Sequence, residues 1–135
     1  MLPSGLPDLV SDEEDLARFL TSSRQFNATM VKPSAFLPRN GKKSVFRHGA
    51  EPLDSLIEIA RDQISPDQTV HGAAICKAFV VRAARLDVVA EEPPPRHADV
   101  VGWPTNADPE SQKAEQMERA AIIAGKCSLL RFGSK

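Results

Sequence analysis

Apolar side chains recur at helical spacing in three stretches of the chain, which predicts three helices. The stretches are residues 12–22, 52–63 and 109–124. The first begins after Ser11, and Glu14 follows three residues later in the spacing of a capping box. Its apolar stripe consists of Leu16, Phe19 and Leu20. The second begins with a proline, which the first turn of a helix accepts because its N–H is not needed there.

The C-terminal helix has the most complete end signals. Asp108 stands at the N-cap, Pro109 takes the first helical position, and Gly125 is placed to close the helix as its C′ residue. The predicted apolar stripe of this helix consists of Ala114, Met117, Ala121 and Ala124. We expect the apolar tail at residues 129–132 to pack back onto the body of the protein.

The stretch between the first two helices has the pattern of a β-hairpin. Asn40-Gly41 lies between two apolar runs, and both central positions of a type I′ turn need a positive φ. The second arm, residues 43–47, is predicted to be a strand. Pro33 and Pro38 confine the first arm to a sheet edge or split it, because proline cannot donate a hydrogen bond to a neighbouring strand.

Further along the chain, residues 86–90 and 97–103 predict two more strands, joined by a proline-rich surface loop that is too stiff for a tight turn. Residues 72–85 suit a buried helix and a buried strand equally well, so their structure stays open. The expected fold class is therefore α+β. We predict a compact single domain with three to four helices packed on a mostly antiparallel sheet of four to five strands.

Length and composition agree with one globular domain. A chain of 135 residues with 41% hydrophobic and 26% charged residues can bury a core without metal or disulfide bonds. We assign residues 11–135 to the domain and residues 1–10 to a flexible acidic N-terminus. The two cysteines, Cys76 and Cys127, lack a CxxC spacing, and no apolar run approaches the roughly 20 residues of a membrane helix. We therefore expect a cytoplasmic protein with reduced thiols and no membrane contact.

Charge is distributed very unevenly along the chain, although the net charge is only −1. Residues 1–15 hold five acidic residues and no base, whereas residues 16–50 hold seven bases and no acid. The seven bases are Arg18, Arg24, Lys32, Arg39, Lys42, Lys43 and Arg47. Such a stretch produces a local positive field that attracts phosphates, nucleic acid or an acidic protein surface.

One short motif suggests catalysis. Arg47-His48-Gly49 lies between a predicted strand and a predicted helix, and in this context it resembles the nucleophile site of the histidine phosphatases. The resemblance implies a phosphohistidine on His48, with Arg47 holding phosphoryl oxygens. Three features oppose it, because 43 residues precede Ser44, only 87 follow His48, and the later elements lack βαβ alternation.

Other motifs give catalysis no support. The sequence has no P-loop, no GxGxxG and no GxSxG, and its histidines lack metal-ligand spacing, so we expect neither cofactor nor metal. The leading hypothesis is a non-catalytic accessory protein that binds another protein, or a second copy of itself, through the basic hairpin. Its binding residues would be Arg39, Lys42, Lys43 and Arg47. A nucleic-acid or phosphate-binding module is the first alternative, and the phosphatase, with Arg47 and His48 as catalytic residues, is the second.

Overall fold

The computed structural model describes residues 2–47, 53–63 and 67–132 of the chain. Within these residues, six strands form one open antiparallel sheet in the order β4-β5-β2-β1-β3-β6. The strands are β1 (Asp15–Leu20), β2 (Lys43–Arg47), β3 (Gly72–Lys77), β4 (Asp87–Ala90), β5 (His97–Val101) and β6 (Ser128–Arg131). The α+β class is confirmed, but the sheet has six strands where the sequence predicted four to five.

Three α-helices accompany the sheet in the described part of the chain. They are α1 (Leu53–Gln63), α2 (Ala78–Ala83) and α3 (Pro109–Lys126). The predicted second helix is confirmed from Leu53 onward, and its proline lies outside the described residues. Residues 72–85, for which the sequence allowed either a helix or a strand, contain one of each, because strand β3 runs directly into helix α2.

Helix α3 is confirmed at its N-terminus and corrected at its C-terminus. Asp108 caps it by accepting a hydrogen bond from the backbone amide of Ser111. Gly125 does not close the helix, which continues to Lys126 and ends where Cys127 adopts an extended conformation. The buried face also differs from the predicted stripe. It consists of Ala120, Ile123 and Ala124, whereas Ala114 and Ala121 are exposed.

The predicted helix at residues 12–22 is wrong, because this segment forms the central strand β1. Both faces of β1 are covered: Leu16 and Leu20 pack into one core, and Ala17 and Phe19 pack into the other. A strand that is buried on both sides carries apolar residues without strict alternation. The resulting spacing of its large side chains imitates the period of a helix.

The two cores lie on opposite faces of the sheet. The larger one is built with α2, α3 and the short 3-10 helix Pro33–Ala35. The smaller one lies where α1 covers the sheet, and it contains Ala17, Phe19, Phe46, Ala60 and Ala73. The C-terminal tail packs onto the body as expected, because β6 pairs with β3 along four residues.

The hairpin tip at Asn40-Gly41 is confirmed. Asn40 and Gly41 have φ values of 55° and 79°, as a type I′ turn requires, and Arg39 and Lys42 exchange backbone hydrogen bonds of 2.9 and 3.3 Å across it. Its second arm continues into β2. The first arm is not a continuous strand, because the 3-10 helix at Pro33 interrupts it.

Candidate functional site

A polar cavity of about 450 Å³ opens at the end of β1 and the start of β2. The two strands pair only at Leu16 opposite Arg47 and at Ala17 opposite Phe46, and they diverge beyond these residues. The cations among the described lining residues are Arg18, Arg39, Lys42 and Lys43. Asp99, from the neighbouring strand β5, is the one carboxylate in that lining. The cavity is therefore strongly basic.

Arg18 fixes the width of this opening. Its Nε donates to the backbone oxygen of Ala35 at 2.9 Å, and its Nη1 donates to that of Ser44 at 3.3 Å. The side chain thus occupies the position where the pairing between the two strands would continue. Burial lowers the pKa of Arg18 to about 10, which leaves the guanidinium charged at neutral pH. Arg18 supplies a permanent and rigidly held positive charge.

Lys43 has a lowered pKa that lies close to neutral pH. Burial, together with the charges of Arg18 and Arg39, lowers the pKa of Lys43 to about 8. The lowered pKa means that the positive charge is unfavourable where it stands. An anion in the cavity would relieve this repulsion, because it would stabilise the protonated form of Lys43.

Ser44 and Asp99, which line the cavity, belong to a small polar cluster with His97 and Lys42. The hydroxyl oxygen of Ser44 lies 2.9 Å from Nε2 of His97. One carboxylate oxygen of Asp99 lies 3.6 Å from the same nitrogen, and the other lies 3.7 Å from Nζ of Lys42. Asp99 is almost fully buried, whereas Ser44 is exposed to the cavity. The negative charge of Asp99 is therefore shared between a lysine and an imidazole ring.

The structure brings three of the four predicted binding residues together. Arg39, Lys42 and Lys43 all line the cavity. Arg47, the fourth, is fully buried on the other side of the hairpin, where it forms a bidentate pair with Glu14 at 2.8 and 2.7 Å. His48, the predicted nucleophile, lies outside the described residues.

Three carboxylates of the acidic N-terminal segment are paired with cations outside the cavity. Asp12 pairs with Arg82 at 2.6 Å and Asp15 pairs with Lys77 at 3.2 Å, both away from the hairpin. Together with the pair between Glu14 and Arg47, these contacts hold three of its carboxylates against other cations. These three carboxylates therefore do not offset the four cations that line the cavity.

Sequence reasoning missed the residues that complete the site. Arg18 was counted among the bases but assigned to a helix, and nothing marked Ser44, His97 or Asp99 as neighbours. Ser44 stands directly opposite Asp99 in the register of β2 and β5, and His97, which pairs with Phe46, is two pairs further along. Only the pairing of these two strands, more than 50 residues apart in sequence, reveals the cluster.

Comparisons with protein-family models, with curated proteins and with solved structures find no match for this chain. Within the described residues, none of the helices has the length and apolar character that crossing a membrane requires. The same residues contain no group of three or more His, Cys, Asp or Glu side chains arranged to hold a metal ion. The site must therefore be interpreted from its own chemistry.

Proposed function

We propose that the protein binds a small phosphate-bearing ligand in the basic cavity. The observation that carries this proposal is the convergence of Arg18, Arg39, Lys42 and Lys43 on one concave site. Four like charges at close range repel one another and destabilise the fold unless an anion offsets them. The cavity volume of about 450 Å³ falls in the range of pockets that enclose small molecules, roughly 300–1,000 Å³.

Neutral donors in the lining support the same ligand class. The side-chain oxygen of Gln25 accepts hydrogen bonds from the backbone amides of Thr21 at 2.8 Å and of Ser22 at 3.2 Å. This assignment leaves the amide nitrogen of Gln25, a double donor, to face the cavity that the residue lines. Phosphate oxygens only accept hydrogen bonds from such groups, so they match a lining of cations and donors.

The protein-partner hypothesis uses the same cations in a different way. The hairpin tip at Asn40-Gly41 is exposed, and an acidic side chain of another protein could reach Lys42 from outside. The concave shape favours a small ligand, because a flat protein surface would leave the deeper cations Arg18 and Lys43 unpaired. The two possibilities predict different results in one binding experiment.

The proposal is tested by adding inorganic pyrophosphate to ¹⁵N-labelled protein and following backbone amide shifts. We expect the shifts to concentrate at Thr21, Gln25 and Ser44. The double variant Arg39→Gln/Lys43→Gln should weaken binding about tenfold or more, because hydrogen bonds to charged groups contribute roughly 1.5–3 kcal/mol each. Salt at about 0.5 M should also weaken binding by screening.

The matched control is Lys113→Gln/Lys126→Gln, which removes the same charge from the exposed face of α3. It should leave pyrophosphate affinity within a factor of about two. An equal loss in both double variants would mean that only net charge matters and would refute the site. If pyrophosphate gives no shifts at all, while wild type but not Lys42→Glu/Lys43→Glu captures an acidic protein, the protein-partner hypothesis replaces this one.

A further inference from the structure

We propose that Ser44 and His97 form a nucleophile–base pair that cleaves a carboxylic ester whose acyl part carries an anionic group. Ser44 lines the basic cavity, and His97 contacts it from the neighbouring strand β5. This proposal depends on the proposed function in one respect: the cations of the cavity must bind the anionic group of the substrate. The nucleophile, the base and their orientation are independent of it.

The two side chains are brought together by strand register. In the ladder between β2 and β5, Phe46 pairs with His97 and Ser44 pairs with Asp99. Ser44 and His97 are therefore diagonal neighbours on the same face of the sheet, within reach of each other's side chains. The ring of His97 also packs edge-on against Phe46, with 5.5 Å between the ring centroids, which restricts its rotation.

The hydrogen bonds of His97 define which nitrogen is the base. Nδ1 lies 2.8 Å from the backbone oxygen of Glu91, and a carbonyl oxygen can only accept. Nδ1 therefore carries the proton in the neutral ring, and Nε2 presents a lone pair. Ser44, 2.9 Å from Nε2, must donate its hydroxyl hydrogen to that lone pair. A hydroxyl bonded to a base that a third group orients is the arrangement of an activated serine.

Asp99 assists from the side of the ring. Its carboxylate oxygen, 3.6 Å from Nε2, is too distant for a hydrogen bond but close enough to stabilise positive charge on the imidazole. Such charge appears when His97 accepts the proton of Ser44. Asp99 is thus a positioning and electrostatic residue, and Lys42, 3.7 Å from its other oxygen, restrains its place.

The reaction needs no co-reactant except water. The Ser44 oxygen adds to the acyl carbon of the ester while its proton moves to Nε2 of His97. The bond from the acyl carbon to the alcohol oxygen then breaks, and the alcohol leaves with that proton. A water molecule next attacks the acyl-serine, gives its proton to Nε2, and releases the acid as the proton returns to the Ser44 oxygen.

The cations of the cavity determine the substrate class. Negative charge develops on the carbonyl oxygen in the transition state, and preoriented positive groups stabilise it. A carboxylate or phosphate on the acyl part would bind the remaining cations and hold the ester beside Ser44. A neutral acyl group would gain no such orientation, so the site should prefer anionic esters.

The test uses two esters with the same leaving group, 4-nitrophenyl hemisuccinate and neutral 4-nitrophenyl acetate, with release of nitrophenolate as the readout. We expect faster release from the hemisuccinate and a succinyl group on Ser44 by peptide mapping. Ser44→Ala should abolish the enzymatic release. His97→Gln should slow it about a hundredfold or more, as removal of a general base does.

Lys43 provides the competing explanation, because a lysine of lowered pKa also attacks activated esters. A succinyl group that resides on Lys43, or release that persists in Ser44→Ala, would overturn the proposal. Circular dichroism of the Ser44→Ala variant shows that it is folded. If pyrophosphate binds but no variant-sensitive release occurs, the catalytic inference fails alone. If Ser44 is acylated equally fast by both esters and pyrophosphate does not bind, the anion-binding function and its substrate class fail instead.

Discussion

At the residue scale, ligand binding should depend on the protonation of Lys43. Burial and the charges of Arg18 and Arg39 lower its pKa to about 8, below the ordinary value of 10.5. Lys42 and Asp99 also face the same cavity, and the short contact between them offsets part of each charge. Lys43 therefore loses its proton in a pH range where Arg18, whose pKa is about 10, keeps its own.

The affinity for pyrophosphate should fall as pH rises through about 8, because a neutral Lys43 no longer attracts the ligand. Lys43→Arg keeps the charge throughout this range, since an arginine stays protonated. Ionisation of pyrophosphate affects both proteins equally, so the difference in affinity between them reports the protonation of Lys43 alone. Isothermal titration calorimetry at several pH values measures the effect. A parallel decline in wild type and Lys43→Arg would show that Lys43 is not the titrating group.

At the element scale, strand and helix signals in the sequence were reliable where one side of the element faces water. Helices α1 and α3 and strand β4 have an exposed side, and their predicted positions agree with the structure. Strand β1 has no exposed side, and the spacing of its apolar residues therefore led to the wrong prediction of a helix. The Ser11 capping signal was nevertheless real in part, because the Glu14 carboxylate accepts a hydrogen bond from the Ser11 backbone amide at 3.0 Å. The chain forms a turn after Ser11, but it then continues as strand β1 and not as the predicted helix.

The hairpin tip offers a test of an element that the sequence did predict. Gly41→Ala should destabilise the fold by about 1–2 kcal/mol, because its φ of 79° strains any residue with a Cβ. Gly125→Ala is the control: it lies in the last turn of α3, nothing within 4 Å would meet the added Cβ, and the change should stabilise by about 0.5 kcal/mol. Urea denaturation measures both. Two changes of the same sign would contradict the turn geometry.

At the scale of the whole molecule, the sequence showed that charge was segregated but not where each charge went. The basic stretch separates into a cavity around Arg39 and Lys43 and a buried anchor at Arg47. Contacts between residues far apart in the chain, such as Arg47 and Glu14, determine whether a base lines the cavity or is buried elsewhere. Such contacts leave no local pattern, whereas a turn such as Asn40-Gly41 does.

Arg47 makes several of the contacts that join the N-terminal segment to the sheet. This side chain, with none of its surface exposed, donates to both carboxylate oxygens of Glu14 and to the backbone oxygens of Pro7 and Leu9. Burial tends to raise the pKa of Glu14, but hydrogen bonds from Arg47 and the Ser11 amide, with the nearby positive charges, hold it below its usual value. Glu14 is therefore ionised at neutral pH, and the pair links the first residues of the chain to a central strand.

Glu14→Gln should destabilise the protein by about 3–5 kcal/mol at neutral pH, because it leaves the buried charge of Arg47 uncompensated. The exposed Glu13→Gln is the matched control and should change stability by less than about 0.5 kcal/mol. Since the folded-state pKa of Glu14 lies below its unfolded value, its contribution is present above that unfolded value and is lost as pH falls through the folded one. The difference between wild type and Glu14→Gln should accordingly be smaller in acid than at neutral pH. Urea denaturation at both pH values checks this, and an equal difference at the two would show that the ion pair does not hold the segment in place.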